Sequence, residues 1–207
     1  MNLEKLLRSF LVLGVVGCNQ AVPEPAERVG EPSVQSAPAT RSEPTPSPSA
    51  SCDRQRVERL LSAPHDPPSV AELSAACADV APILNELARD QSARGLVRLR
   101  SLESLGELGG APAVATLSDL ATRASELPSV RRTSLLALGK ATASGDAERE
   151  RVGTAALSDS DPHVRRVAAQ LLRGSKTASV RVALEQAKTR ETTAFVKEEL
   201  EASLGQR

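Results

Sequence analysis

Three thiols, two imidazoles and a set of paired arginines are what this chain offers for chemistry: Cys18, Cys52 and Cys77, His65 and His163, and doublets such as Arg131-Arg132 and Arg165-Arg166. A thiol can be acylated, oxidised or bound to a metal. Zinc wants four ligands, and nothing near Cys52 or Cys77 supplies two more. His65 lies in a Pro-rich turn and His163 at a helix start, so both read as exposed loop or cap residues rather than bases or metal ligands. No Gly-rich phosphate loop, His-Glu-x-x-His or Gly-x-Ser-x-Gly occurs. Glu148 and Glu150 alternate with Arg149 and Arg151, the pattern of a solvated face rather than of paired catalytic acids. The sequence therefore names no catalytic residue, no metal and no cofactor.

Cys18 closes the run Val15-Val16-Gly17-Cys18, behind a charged start (Glu4, Lys5, Arg8) and an apolar stretch from Phe10 to Val16. A membrane-spanning helix needs roughly 20 apolar residues, and this run is too short. An ordinary secretory signal ends at an Ala-x-Ala-like site without a required cysteine. The segment resembles a bacterial lipoprotein signal, in which small residues precede a cysteine that is acylated and becomes the new N-terminus. That resemblance implies a signal peptide over 1–17, lipid (palmitate-type) chains on Cys18, and residence in the bacterial cell envelope on the extracytoplasmic side. Stable anchoring takes two membrane signals, and two or three acyl chains on one residue would supply them. Asn19 in place of Asp weakly favours the outer membrane over the inner one, by the sorting rule of enteric bacteria.

Export to an oxidising compartment leaves Cys52 and Cys77 as an even pair, and a disulfide between them is expected. It would tie the first helix to the second and add ~2–4 kcal/mol. The alternative keeps two free thiols, with Cys77 among Ala75, Ala76 and Ala78 as a small core residue.

The elements that must position these groups begin after a long spacer. Residues 19–51 hold seven of the chain's 14 prolines, and their only large apolar residues are Val22, Val29 and Val34. Such a segment cannot bury enough apolar surface to offset its ordering entropy. Residues 18–51 thus read as the lipidated cysteine and a disordered Pro/Ser/Ala-rich tether, reaching roughly 30 to 100 Å. Pro44-Thr45-Pro46-Ser47-Pro48 could also form a polyproline II recognition motif, but spacer is the simpler reading. With no Trp or Tyr and only two Phe, the rest must build its core from Leu, Val and Ala, which suits stacked helices better than a β-sandwich.

From residue 52 the pattern turns helical and repeats. Four segments share Val, a basic residue, and Leu eight residues after the Val: Val97-Arg98 with Leu105, Val130-Arg131 with Leu138, Val164-Arg165 with Leu172, Val196-Lys197 with Leu204. The valines stand 33, 34 and 32 residues apart. In the third segment Val164, Val167, Ala168, Leu171 and Leu172 form one apolar stripe. Asp161 is its expected N-cap and Pro162 its first turn, with Pro128 placed likewise before Val130. Gly106, Gly139 and Gly205 are expected at left-handed helix ends, and the glycine-rich Gly106–Gly110 stretch reads as an inter-helix turn. A preceding helix is expected over roughly 80–89, 112–125, 146–158 and 178–189.

The stretch from Leu157 to Leu172, with Asp159, Asp161-Pro162, Val164-Arg165, Ala168-Ala169 and Leu171-Leu172, resembles HEAT repeats of the short, phycobilin-lyase-like kind. The resemblance covers about residues 80–207, strongest over 128–174; the first segment lacks Asp-Pro and Arg173 replaces a glycine. It implies an all-α fold, an α-solenoid of stacked hairpins over 52–207. It further implies that Arg131 and Arg165 pair with acids of neighbouring repeats, Asp159 and Asp161 being available, and that the second helix of each hairpin lines the concave side.

Residues 129–140 and 162–176 carry basic side chains and no acid, so the middle of the array is locally basic although the formal net charge is zero, from 26 basic and 26 acidic residues. Arg132, Arg166 and Arg173 are the candidates for contacting a protein partner. Zero net charge and export argue against nucleic acid. The expected function is a membrane-anchored scaffold for protein–protein interaction; the alternative, from the resemblance, is an accessory lyase-like subunit that cradles a cofactor or assists an enzyme, which the poverty in aromatics disfavours.

Overall fold

Short punctuation by Asp, Ser, Pro and Gly cuts the described residues into helices of about two to four turns. The computed structural model describes residues 52–143 and 145–205. Cys18, its signal and the 19–51 tether lie outside the described residues. Among those described there are ten helices and no strand: α1 (Arg54–Leu61), α2 (Val70–Ala76), α3 (Ala81–Arg89), α4 (Gly95–Leu108), α5 (Ala111–Thr122), α6 (Pro128–Ala141), α7 (Ala147–Ala156), α8 (Pro162–Leu172), α9 (Ala178–Arg190) and α10 (Ala194–Gly205).

Local chemistry starts most of them. Asp53, Asp146 and Asp161 accept hydrogen bonds from the first free backbone N–H groups of α1, α7 and α8, which would otherwise go unpaired. Ser69 and Glu72 cap α2 reciprocally. Proline occupies the first turn of α3, α5, α6 and α8, where its missing N–H removes nothing.

Consecutive helices pair: α3 with α4, α5 with α6, α7 with α8, α9 with α10. Alternate helices also touch, α4 with α6, α6 with α8 and α8 with α10 on one side, α3 with α5, α5 with α7 and α7 with α9 on the other. Helices α1 and α2 pack on each other and on α4. The repeated valines and leucines make this packing: Val97, Val130, Val164 and Val196 are buried, as are Leu105, Leu138 and Leu172. Leu204 is only partly buried, because no helix follows α10 to cover it among the described residues.

The glycines correct an expectation. Gly106 and Gly139 lie inside α4 and α6, and Gly205 is the last residue of α10; the left-handed glycines are Gly109, Gly110, Gly145 and Gly174. A Cβ on Gly106 would sit 2.8 Å from the Cα and the carbonyl oxygen of Ala137, in the backbone of α6. At Gly139 it would meet Leu171 Cδ1 at 3.1 Å. Gly106 and Gly139 mark places where alternate helices approach each other closely, not where the chain turns; at Gly205 nothing lies within 4 Å. The turn itself is made by Gly109 and Gly110, at φ 66° and 81°, a conformation that favours glycine.

Candidate functional site

The arginine after each of the first three repeated valines points into the seam between units, while Lys197 after the fourth is exposed. Arg98 donates to Glu126 Oε2 at 2.9 Å and to the Ala88 carbonyl at 3.2 Å. Arg131 grips both Asp159 oxygens, at 2.7 and 2.8 Å, and also donates to the Glu126 carbonyl. Arg165 grips both Glu191 oxygens, at 2.7 and 2.9 Å, and reaches the Asp159 and Ser160 carbonyls. The forked guanidinium suits this bidentate geometry in a way that lysine cannot. Each rung therefore joins one helix to the loop between the two helices of the next unit.

The acids respond to their partners. Hydrogen bonding from Arg165 draws Glu191 down to about 2 against its desolvation, with the Thr192 and Thr193 N–H groups and the Arg165 charge adding to the pull. Burial pushes Asp159 up, but hydrogen bonds from Arg131 and the Asp161 N–H, with the charges of Arg131 and Arg165, leave it below its ordinary value. Asp161 is not a rung partner: its Oδ1 caps α8, accepting from His163 N at 2.9 Å and Val164 N at 3.1 Å.

One position further along the chain, the side chains face outward. Arg132 is exposed and makes no side-chain hydrogen bond or ion pair within the described residues. Its equivalent on α8, Arg166, is half-buried with its guanidinium carbon 5.8 Å from the Phe195 ring centre. Arg166 Nε is buried and without an acceptor. Phe195 also stacks on His163, ring centres 5.1 Å apart. Arg173, the third candidate, pairs instead with Glu199 of α10. Lys140 lies 3.6 Å from Glu107.

Next to Arg132, Leu136 leaves 49% of its surface exposed. It borders a cavity of about 150 Å³ between α6 and α8, whose walls include Gly139, Val167, Gln170 and Leu171. On α4 the position equivalent to Arg132 is Leu99, partly buried, and the one equivalent to Leu136 is Glu103, exposed. The register of Arg132 thus holds Leu99 on α4, a cation on α6 and α8, and Glu198 on α10.

The structure pairs Cys52 with Cys77, their Cα atoms 4.8 Å apart, within the span of a disulfide. The pair joins the residue just before the α1 cap to the C-cap of α2. Cys77 is also buried, so both sequence readings of its place contain part of the result.

Sequence reasoning missed Glu126 and Glu191 as rung partners. The signal was present: Glu126, Asp159 and Glu191 stand 33 and 32 residues apart, the period of the valines. It also missed two arginines that bind helix-end carbonyls. Arg100 donates to Leu61, Ala63 and His65, and Arg149 to Leu171, Gly139 and Thr142. Spacing carries no such signal, because the acceptors are main-chain atoms.

No protein-family model matches this chain, and no curated protein matches it. Among the described residues no helix is long and apolar enough to cross a membrane.

Proposed function

We propose that this protein is a lipid-anchored bacterial envelope scaffold. Cys18 carries the acyl chains, residues 18–51 act as the spacer, and residues 52–207 form a HEAT-like α-solenoid that engages a protein partner. The hairpin pairing, together with contact between alternate helices, supports the solenoid reading, since a lone amphipathic hairpin cannot hide its apolar stripe and must lean on the next. The observation that carries the binding role is Arg132, an exposed cation that makes no ion pair within the described residues, in a region where the arginine before it and its equivalents on α4 and α8 are each consumed by a rung. The face offering Arg132 and Arg166 is then the docking surface, and Arg173 serves chiefly to hold α10.

Two measurements test this. Acyl labelling and membrane fractionation of full-length protein against Cys18→Ser should move the variant from membrane to soluble fraction. In-cell crosslinking should yield a partner that is lost in the double variant Arg132→Glu/Arg166→Glu. A partner retained in full by that variant removes this face as the site, and a chain without acyl groups removes the anchor.

A further inference from the structure

We infer that the α6–α8 face takes a short acidic segment of another protein, one carrying two carboxylates about 10 Å apart and an aliphatic side chain between them; this rests on the docking-scaffold reading above. Charge complementarity selects the partner. Arg131 and Arg165 are neutralised by Asp159 and Glu191, Arg173 by Glu199 and Lys140 by Glu107. Arg132 and Arg166 make no ion pair within the described residues, and they occupy the same register 34 residues apart.

The spacing follows from the packing. Neighbouring packed helices run about 8–10 Å apart, so equivalent positions on α6 and α8 root their side chains at about that separation. Carboxylates seven residues apart on a helix are separated by ~10.5 Å of rise, and three apart on an extended chain by ~10 Å.

Arg166 is already held. Its contact with Phe195, itself stacked on His163, limits the rotamer freedom that binding would otherwise remove. One turn from Arg132, Leu136 and the small cavity beside it offer a seat for one aliphatic side chain. A bare phosphate or a nucleic-acid backbone would answer the two cations and leave that seat empty. A peptide answers both.

The test uses the full chain carrying Cys18→Ser and a phage-displayed library of randomised 16-residue peptides. Enriched peptides should combine two Asp or Glu, seven or three residues apart, with an intervening Leu, Ile, Val or Met. Their affinity should fall at least tenfold in Arg132→Glu/Arg166→Glu and again in Leu136→Asp, with thermal melting by circular dichroism unchanged in each. Enriched peptides that lack acids, or binding indifferent to both variants, overturn the inference. So does an absence of enriched peptides combined with variant-sensitive binding to phosphatidylglycerol vesicles or DNA. If no acidic peptide is recovered while the crosslinked partner is still lost in the double arginine variant, the scaffold reading stands and this inference falls.

Discussion

Arg131 and Arg132 are neighbours in the chain, yet one belongs to the seam between units and the other to the outer face. In the seam, arginines at the same register meet Glu126, Asp159 and Glu191 at hydrogen-bond distance with little water around them. On the outer face, Arg132 meets solvent, and Arg166 meets an aromatic ring but no acid. The difference teaches that a basic tally over a helix does not identify a binding surface. Counting 129–140 as basic mixes a structural cation with an available one.

The seam breaks hardest. Glu126→Ala would strand the Arg98 guanidinium, whose side chain is only 6% exposed, and removing one partner of a buried pair costs about 3–5 kcal/mol. Chemical denaturation should show that loss. Gly106→Ala tests the same seam sterically: a methyl 2.8 Å from the α6 backbone must push two helices apart, at about 1–3 kcal/mol by overpacking. A melting temperature equal to wild type would mean that the helices are not this close.

Acid should loosen the seam before the outer face. Glu191 is held near 2 against an ordinary 4.5, so its rung's contribution is complete above about pH 4.5 and is lost as pH falls toward 2, where the folded carboxylate also takes a proton. Stability measured by denaturant from pH 6 to pH 2 should fall over that window, and the fall should shrink in Glu191→Gln. The smallest effect on stability belongs to the outer face: Arg132→Glu should stay within about 0.5 kcal/mol of wild type. A large destabilisation there would erase the contrast between the two sites.

Much of the helical pattern was legible. The expected helices over 80–89, 112–125, 146–158 and 178–189 correspond to α3, α5, α7 and α9, with α5 and α7 each ending two or three residues early. Asp161 and Pro162 open α8 as their chemistry requires. The Val164 to Leu172 stripe is buried throughout. Arg131 does pair with Asp159, and Arg165 does pair with an acid, though with Glu191 rather than Asp161. What went unread were contacts between distant segments: the role of Gly106, the Arg173–Glu199 pair and the Arg166–Phe195 contact.

The sequence alone determined where helices begin and which stripe of each is apolar, since capping groups and a 3.6-residue period act over a single turn. Only tertiary packing decided which arginine of each doublet is consumed and what the repeated glycines are for. Adjacent helical residues point about 100° apart, and whether that rotation ends at a neighbour's carboxylate, a neighbour's backbone or water depends on where the next helix lies.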